Sequence, residues 1–203
     1  MGADEGILVS DRKFSGADTL ATSYVLAEAI KKIHEDDPID MIFFGKQAID
    51  GDTAQVGPGV AVRLGYPMVT YAVNIREINL DEGYALIERK TELRNELIKT
   101  ALPAALTCEK EIAEIPFAAL PDLVASLRYK PEVWTAEEPV AYDINQIGLK
   151  GSPTMVFKTG TPVQHEPGEV INTTEIGLKE AVDMVFNKMM ENTSVAPLIG
   201  GKK

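Results

Sequence analysis

The sequence predicts an α/β protein with a doubly wound, mainly parallel sheet, an antiparallel hairpin extension, and a C-terminal arm and helix. Short apolar runs alternate with helical patterns over residues 6–73, as in such sheets. The pattern then changes to apolar–polar alternation on both sides of a turn, which is typical of a hairpin. With 203 residues, the chain can form an α/β domain over residues 1–150, followed by the arm and helix over residues 151–203.

The first predicted unit is a strand followed by an amphipathic helix. Gly6–Ser10 is a short apolar run before a polar loop, which indicates a buried strand. Asp18 or Thr19 can cap a helix that begins near Leu20. One face of this helix carries apolar residues at four-residue spacing, namely Ala21, Val25, Ala29 and Ile33.

A second strand and helix follow in the same layer. Met41–Gly45 is apolar on both faces, as a central parallel strand should be. Thr53–Leu64 has the pattern of a helix, although Pro58 removes a backbone donor, so we expect its first turn to be distorted. Met68–Val73 is the next predicted strand.

The antiparallel extension begins where the periodicity changes. Tyr71–Leu80 and Tyr84–Arg89 alternate on either side of Asp81-Glu82-Gly83, which predicts a hairpin. Leu93–Lys99 and Ala104–Cys108 are predicted to extend it.

The C-terminal third has weaker signals. Pro121–Leu127 can form a short helix with proline in its first turn. Asp143–Leu149 and Thr154–Lys158 are strand-like. Pro162 and Pro167 then indicate an extended arm. Finally, a last helix is predicted to run to about residue 191, capped by one of two adjacent threonines, Thr173 or Thr174.

Composition excludes several classes of function. The net charge of −11 argues against nucleic-acid binding, which needs a basic surface. This charge either keeps the protein soluble or steers it toward a positively charged partner. One cysteine and two histidines argue against a Cys-based or His-rich metal site formed by this chain alone, and Cys108 fits a small core residue better than a reactive thiol.

The sequence shows no feature of secretion or membrane insertion. The first residues, MGADEGILVSDRK, lack the charged and apolar regions of a signal peptide. No run approaches the roughly 20 apolar residues of a membrane helix. We therefore expect a cytoplasmic protein.

The segment most informative about function is the loop between Gly45 and Pro58, with the sequence GKQAIDGDTAQVGP. It follows a buried strand and precedes a helix, and ligands bind at this edge of open α/β sheets. Free N–H groups in a helix's first turn suit a phosphate or pyrophosphate. Gly51 lets the backbone approach an anion closely. The loop matches neither the dinucleotide fingerprint nor the Walker A pattern.

The side chains of this loop suggest separate roles. We expect Asp52 to cap the following helix by accepting from an N–H group at Ala54 or Gln55. Asp50 then points at a ribose hydroxyl or at solvent. Thr53 and Gln55 can donate to phosphate oxygens. Ala48 and Ala54 leave room for a flat ring. From the residues alone, the alternative is a capped helix after a tight turn.

This loop resembles the signature of electron transfer flavoprotein beta subunits. GADEGILVSDRKFSGADTLATSY, GYPMVTYAV and GSPT also stand in the order of that family, so the resemblance covers nearly the whole chain. It implies a fold of the adenine nucleotide alpha hydrolase-like type and a heterodimer with an alpha subunit. Residues 1–150 would be the nucleotide-binding domain, and residues 151–203 would pack on the alpha subunit.

The resemblance also implies a cofactor site. The loop holds AMP in one group of members and a second FAD in the bifurcating group. The implied cofactor-binding positions are Ala48, Asp50, Gly51, Asp52, Thr53, Ala54, Gln55 and Val56. The run Gly51–Pro58 is similar to the bifurcating and nitrogen-fixation-linked members. Residues 18–22 resemble the start of the adjoining helix in those members. Thr19 or Thr22 would then reach the flavin, and the alternative is that these threonines only cap the helix.

The implied function is electron transfer without chemistry on a substrate. The complex would carry electrons via flavin between NADH or an acyl-CoA-type dehydrogenase and another carrier, with flavin-based bifurcation. Catalysis would occur only within the complex. The alternatives are an AMP-binding beta subunit without bifurcation, a non-redox adenine-nucleotide module, or an adenylate-forming enzyme of related fold, for which no basic pyrophosphate motif is found.

Two further features follow from the resemblance. Leu120-Pro121 matches the pair that ends the loop with which the family docks dehydrogenases. The lysine-rich run that often follows is replaced by Asp122–Tyr129, so the partner's identity is open. Family members also have two strands and a helix before the equivalent of Met1, so we expect the chain to be N-terminally truncated and to lack part of the site.

Overall fold

The structure, a computed structural model, describes residues 1–161 and 168–191 and contains two units, Met1–Phe157 and Lys158–Lys203. The first unit has these strands and α-helices in chain order: β1 (Ile7–Val9), α1 (Thr19–Asp36), β2 (Met41–Gly45), α2 (Val56–Leu64), β3 (Met68–Asn79), β4 (Tyr84–Lys90), β5 (Asn95–Ala101), β6 (Ala104–Cys108), α3 (Leu120–Ser126) and β7 (Glu132–Trp134). The second unit has α4 (Thr173–Ile176) and α5 (Leu178–Glu191). Within the described ranges, no helix combines the length and apolarity needed to cross a bilayer.

The larger sheet has five strands in the order β2-β6-β3-β4-β5. β2, β6 and β3 are parallel, whereas β3, β4 and β5 are antiparallel neighbours. The predicted α/β class and its antiparallel extension are therefore confirmed. The placement of Ala104–Cys108 in the hairpin is wrong, because β6 lies between β2 and β3 with Met41 opposite Ala104. Its first four residues are all buried, as in a central parallel strand.

The first strand is not part of this sheet. β1 pairs in parallel with β7 in a separate two-stranded sheet, with Ile7 opposite Glu132 and Val9 opposite Trp134. The prediction that Gly6–Ser10 joins the layer of Met41–Gly45 is thus wrong. β7 was not predicted because its three residues, Glu-Val-Trp, are too short to show a period.

The core under the five-stranded sheet is formed by small and branched side chains. Its fully enclosed members come from three strands: Val69, Ala72, Ala85, Ile87 and Leu106. Cys108 packs against this cluster, and burial raises the pKa of its thiol. A protonated, half-buried thiol fits the predicted core role and not that of a reactive nucleophile.

Helices α1 and α2 of the first unit pack against each other. Asp18 caps α1, and the predicted face of α1 is buried at Ala21, Val25 and Ala29. α2 begins at Val56 and not at Thr53, so Pro58 lies in its first turn, where a missing N–H costs no helical hydrogen bond.

The C-terminal predictions need correction. No described residue of Asp143–Leu149 or Thr154–Lys158 is in a strand, and Gly148–Gly151 forms a short 3-10 helix. The last helix is interrupted at Gly177, where φ is 83°, and its cap is Asn172, whose side chain accepts from the Thr174 N–H. Pro162 and Pro167, on which the extended arm was based, lie outside the described residues. α3 has Pro121 in its first turn, as predicted.

Candidate functional site

The candidate loop, residues 46–55, leaves the carboxyl end of β2 and leads into α2. β6 ends beside it at Cys108, opposite Gly45, and β3 passes the same edge at Tyr71 and Ala72 before it continues to Asn79. At this edge Lys46 Nζ lies 2.8 Å from a carboxylate oxygen of Glu109 and 5.3 Å from the centroid of the Tyr71 ring. The hydrogen bond to Glu109 outweighs desolvation and raises the pKa of Lys46. The lysine therefore stays charged and is already paired with a carboxylate.

The backbone of the loop is folded back on itself. The Asp52 N–H donates to the Ala48 carbonyl at 2.9 Å. Asp52 and Ala54 have φ angles of 53° and 55°, in the left-handed region that residues other than glycine seldom adopt. Such strain is concentrated at ligand-binding and catalytic segments, because only a functional demand or strong packing maintains it.

Asp52 does not cap α2, so that prediction is wrong. Its carboxylate accepts a hydrogen bond from the Gln47 side chain. The two left-handed residues delay the start of the helix, and the cap position falls to Gln55, which makes no capping hydrogen bond with its side chain in the described structure. The first turn of α2 therefore has no side-chain cap in the described structure, and its N–H groups are those of Val56 and Gly57, because Pro58 has none.

The middle of the loop is open to solvent. Most of the predicted binding positions are exposed, and two are half-buried: Ala48, Asp50, Gly51, Asp52, Thr53 and Gln55 are exposed, and Ala54 and Val56 are half-buried. Ile49 is 99% exposed, so a large apolar side chain stands free beside the polar positions. This arrangement leaves both backbone donors and an apolar contact accessible on one turn.

The far end of the loop is fixed by Gly57. A Cβ built on Gly57 would lie 2.9 Å from Cγ2 of Thr107 and 3.2 Å from Cγ of Phe44. Only glycine lets α2 approach the ends of β2 and β6 this closely. Thr107 also accepts a hydrogen bond from the N–H of Tyr71 at 3.0 Å, and Tyr71 has φ of 57°.

The structure brings Thr19 to the loop. Its hydroxyl donates to Oε1 of Gln55 at 2.9 Å, so the start of α1 and the start of α2 meet at this contact. Thr22 is half-buried on the first turn of α1, and its N–H donates to the Asp18 carbonyl.

Three residues at this edge were not singled out by sequence reasoning: Lys46, Tyr71 and Glu109. Lys46 lies inside the informative loop, but its partners Glu109 and Tyr71 are distant in sequence, so no local motif indicated its role. Tyr71 and Glu109 lie at the site because β6 is placed between β2 and β3, and this strand order could not be predicted from the sequence.

The predicted docking pair lies in an exposed apolar segment. Leu120 is 73% exposed at the start of α3, and Pro121 is also exposed. Neighbouring large apolar side chains are exposed as well: Ile115, Phe117, Leu123, Val124 and Leu127. An exposed apolar patch of this kind marks an interaction surface more often than a free surface.

The site has the donors for an anionic, ring-containing ligand. It offers free N–H groups, hydroxyl and amide side chains, and small residues that leave space. Among residues 1–161 and 168–191, no three His, Cys, Asp or Glu side chains are grouped as a metal site would require.

Comparison with known proteins identifies the family. Residues 1–138 match the Electron transfer flavoprotein domain. The chain is 47% identical to Protein FixA of Azotobacter vinelandii over 189 residues. The matched region covers 93% of this chain and 67% of that protein. It is 40% identical over 191 residues to the Electron transfer flavoprotein subunit beta of Clostridium acetobutylicum, covering 94% of this chain and 70% of that protein.

A third relative is named as part of a larger complex. The chain is 38% identical over 191 residues to the Caffeyl-CoA reductase-Etf complex subunit CarD of Acetobacterium woodii, covering 94% of this chain and 70% of that protein. The chain thus spans about two thirds of the length of the relatives it matches. It belongs to the electron transfer flavoprotein family, as a beta subunit of the nitrogen-fixation-linked type.

Proposed function

We propose that the protein acts as the beta subunit of a heterodimeric electron transfer flavoprotein whose 46–55 loop holds the adenine-containing part of FAD. The observation that carries this proposal is the uncapped first turn of α2, which follows a left-handed loop at the carboxyl edge of the parallel strands. Free N–H groups at that position favour a phosphate or pyrophosphate. The proposal includes a fold of the adenine nucleotide alpha hydrolase-like type, and the parallel arrangement of β2, β6 and β3 supports it.

The residues of the loop divide the work of binding. Backbone N–H groups from Thr53 to Gly57 would take the phosphate oxygens, and the side chains of Thr53 and Gln55 would donate to them. Ala48 and Ala54 would leave room for the ring, and Asp50 would accept from a ribose hydroxyl. The Asp52 carboxylate accepts a hydrogen bond from Gln47 within the loop, so it would not face the phosphate. When bound, the flavin supplies the electron chemistry, and the protein supplies orientation and electrostatics.

We propose FAD and not AMP because the run Gly51–Pro58 is similar to that of the bifurcating members. The relative named as a subunit of a reductase–Etf complex supports an electron-bifurcating role for this type of chain. NADH would then be the electron donor, and an acyl-CoA-type dehydrogenase would be one electron partner. The protein would act in the cytoplasm.

Partner contacts are assigned to two surfaces. Beta subunits of this family pair with an alpha subunit, and α4 and α5 would contribute to that contact. In α5 the apolar side chains Val182, Val185 and Phe186 are half-exposed and lie on one face. Leu120 and Pro121 would dock a dehydrogenase by inserting an apolar anchor.

Cofactor content of the copurified complex tests the proposal. The full-length gene product is co-expressed with its alpha subunit, purified, and analysed for FAD and AMP, and its absorption spectrum is recorded with and without NADH. Two FAD per heterodimer and reduction by NADH are expected. One FAD plus AMP would indicate the AMP-binding type. A monomer that binds AMP or ATP without flavin or an alpha subunit would indicate a non-redox nucleotide module.

A further inference from the structure

The carboxylate of Asp18 connects two segments that are far apart in the chain. Oδ1 accepts from the N–H groups of Leu20 at 2.9 Å and Ala21 at 3.1 Å. Oδ2 accepts from the N–H of Thr154 at 3.1 Å and from its hydroxyl at 2.8 Å. A helix cap needs only the first pair of contacts, and Ser, Thr or Asn would serve there. The second pair needs another acceptor oxygen, which only a carboxylate supplies.

The segment that contains Thr154 is fitted closely to the loop before α1. The Asp18 N–H donates to the Ser152 hydroxyl at 2.8 Å, and that hydroxyl donates to the Gly148 carbonyl at 2.7 Å. A Cβ on Gly148 would lie 2.2 Å from the Lys13 carbonyl oxygen. Because no side chain fits at this position, the two segments can approach this closely only with glycine here.

The same network reaches the candidate loop. Thr19 directly follows Asp18, and its hydroxyl donates to Oε1 of Gln55 at 2.9 Å. The direct contacts therefore run from Thr154 through Asp18 and Thr19 to Gln55. A displacement of Asp18 would move the hydroxyl that holds Gln55.

We propose that Asp18 is a positioning residue of the nucleotide site: it holds the start of α1 against Ser152–Thr154 and thereby places Thr19 for its contact with Gln55. This inference rests on the proposed function. Asp18 itself need not touch the cofactor. Its role is to reduce the freedom of two residues that do, which favours binding because less motion is lost when the ligand arrives.

The variant Asp18→Asn separates this role from helix capping. Asparagine caps a helix about as well as aspartate through its carbonyl oxygen. Its NH2 group cannot accept from Thr154, so the two hydrogen bonds that Thr154 donates are lost, while the cap and the backbone N–H contact with Ser152 remain. The second variant, Thr154→Val, removes the hydroxyl contact from the other side, and Thr154→Ser retains it.

Asp11 provides a matched control. Its Oδ1 accepts from the Lys13 N–H at 2.8 Å, and its Oδ2 accepts from the Ala136 N–H at 3.1 Å. Asp11→Asn thus breaks the same kind of connection from the same loop. None of its described contacts leads to Gln55.

The test measures FAD and AMP affinity of the full-length protein in complex with its alpha subunit, together with thermal stability. Asp18→Asn is expected to weaken binding about tenfold, the value of one charge-assisted hydrogen bond, and Thr154→Val is expected to weaken it less. Asp11→Asn and Thr154→Ser should remain within about twofold of wild type, although Asp11→Asn also lowers stability.

The outcomes distinguish the inference from the proposed function. Wild-type affinity in Asp18→Asn, or an equal loss in Asp11→Asn, would overturn the positioning role while the nucleotide site stands. If Asp18→Asn does not fold, the affinities of Thr154→Val and Thr154→Ser are compared instead. Equal affinities of these two variants would overturn the positioning role. A wild-type complex in which neither FAD nor AMP occupies the beta subunit overturns the proposed function.

Discussion

The hydroxyl of Thr19 and the side-chain oxygen of Gln55 are joined by a hydrogen bond of 2.9 Å between residues 36 positions apart. Thr19 begins α1, and Gln55 is the cap position of α2. The two helices therefore share a polar contact at the end that faces the candidate loop. With Oε1 of Gln55 occupied, its NH2 group remains to donate to an anion, so the contact selects the donor end of the amide for the ligand.

The first prediction concerns this contact. Thr19→Val keeps the branched shape but removes the donor, so Gln55 loses its fixed orientation. We expect FAD affinity to fall by roughly fivefold, equivalent to a hydrogen bond of about 1 kcal/mol. Equilibrium titration of the apo complex measures this. Thr19→Ser keeps the hydroxyl and serves as the control, and equal affinities of the Ser and Val variants would contradict the assignment.

The second prediction concerns the close approach of α2 to the sheet. Gly57→Ala would place a Cβ 2.9 Å from Cγ2 of Thr107 and must displace the helix. We expect a loss of about 1–3 kcal/mol in the free energy of unfolding, which exceeds the roughly 1 kcal/mol that alanine gains in helix propensity. Urea denaturation measures the change, and an unchanged slope m would show that the shift in midpoint reports stability alone.

Gly51→Ala is the control for this substitution. No described atom lies within 4 Å of a Cβ on Gly51. Its effect on stability should remain within about 0.5 kcal/mol. A Gly57→Ala protein as stable as wild type would show that α2 shifts without cost, and the argument for close packing would fail.

The position of the candidate site could be predicted from sequence because it depends on local order. The buried run Met41–Gly45 and the following loop identify a strand end and a helix start. Its internal geometry could not be predicted, because the left-handed angles at Asp52 and Ala54 do not follow from residue type. They moved the helix start to Val56 and directed the Asp52 carboxylate to Gln47 instead of the helix.

Strand order was the other limit of sequence reasoning. Ala104–Cys108 is an apolar run of five residues, and length and composition do not distinguish a hairpin extension from a central strand. Its placement between β2 and β3 depends on pairing with strands that are distant in sequence. Lys46, Tyr71 and Glu109 come together only through that placement, so no local pattern indicated them.

The third prediction concerns acid stability. Burial opposes ionisation of Asp18, but the hydrogen bonds from Ala21, Thr154 and Leu20 outweigh it and lower the pKa of Asp18 below its ordinary value of 3.8. A carboxylate with a lowered native pKa contributes stability above its ordinary pKa, and that contribution is lost as pH falls through the native pKa. The stability difference between wild type and Asp18→Asn should be constant near neutral pH and shrink below about pH 4.

Chemical denaturation of both proteins over that pH range measures this difference. The other acidic groups are the same in both proteins, so their titration cancels in the comparison. A difference that stays constant down to the lowest pH would mean that Asp18 does not bind its four donors as a carboxylate.

The fourth prediction concerns the docking pair. Leu120 is 73% exposed, so Leu120→Ala should leave the stability of the subunit unchanged within about 0.5 kcal/mol. If this side chain anchors a dehydrogenase, its loss should raise the KM for that partner by roughly tenfold. Steady-state electron transfer with the acyl-CoA-type dehydrogenase measures this. Leu93→Ala, at a leucine that is 94% exposed near the β4–β5 turn, should have no effect.

The fifth prediction concerns a buried hydroxyl. Tyr142 packs edge-on against Phe14 at 5.4 Å between ring centroids, and its hydroxyl has no hydrogen-bond partner in the described part of the chain. Tyr142→Phe keeps the ring and removes a desolvated polar atom. We expect it to be neutral or to stabilise by up to about 1 kcal/mol at neutral pH. Tyr24→Phe should destabilise instead, because its hydroxyl accepts from the Asp143 N–H at 3.1 Å.

The effect of Tyr142→Phe should also depend on pH. Burial, followed by the nearby Glu28 and Tyr24, raises the pKa of Tyr142 to about 12 from 10.0. A raised native pKa contributes stability that is present below pH 10 and is lost as the pH rises toward 12. Tyr142→Phe has no such group, so wild type should lose stability relative to the variant as the pH rises from 10 toward 12, and the phenol should titrate only near pH 12. A variant that is destabilised by more than about 1 kcal/mol at neutral pH would show that the hydroxyl is hydrogen-bonded, for example to a buried water.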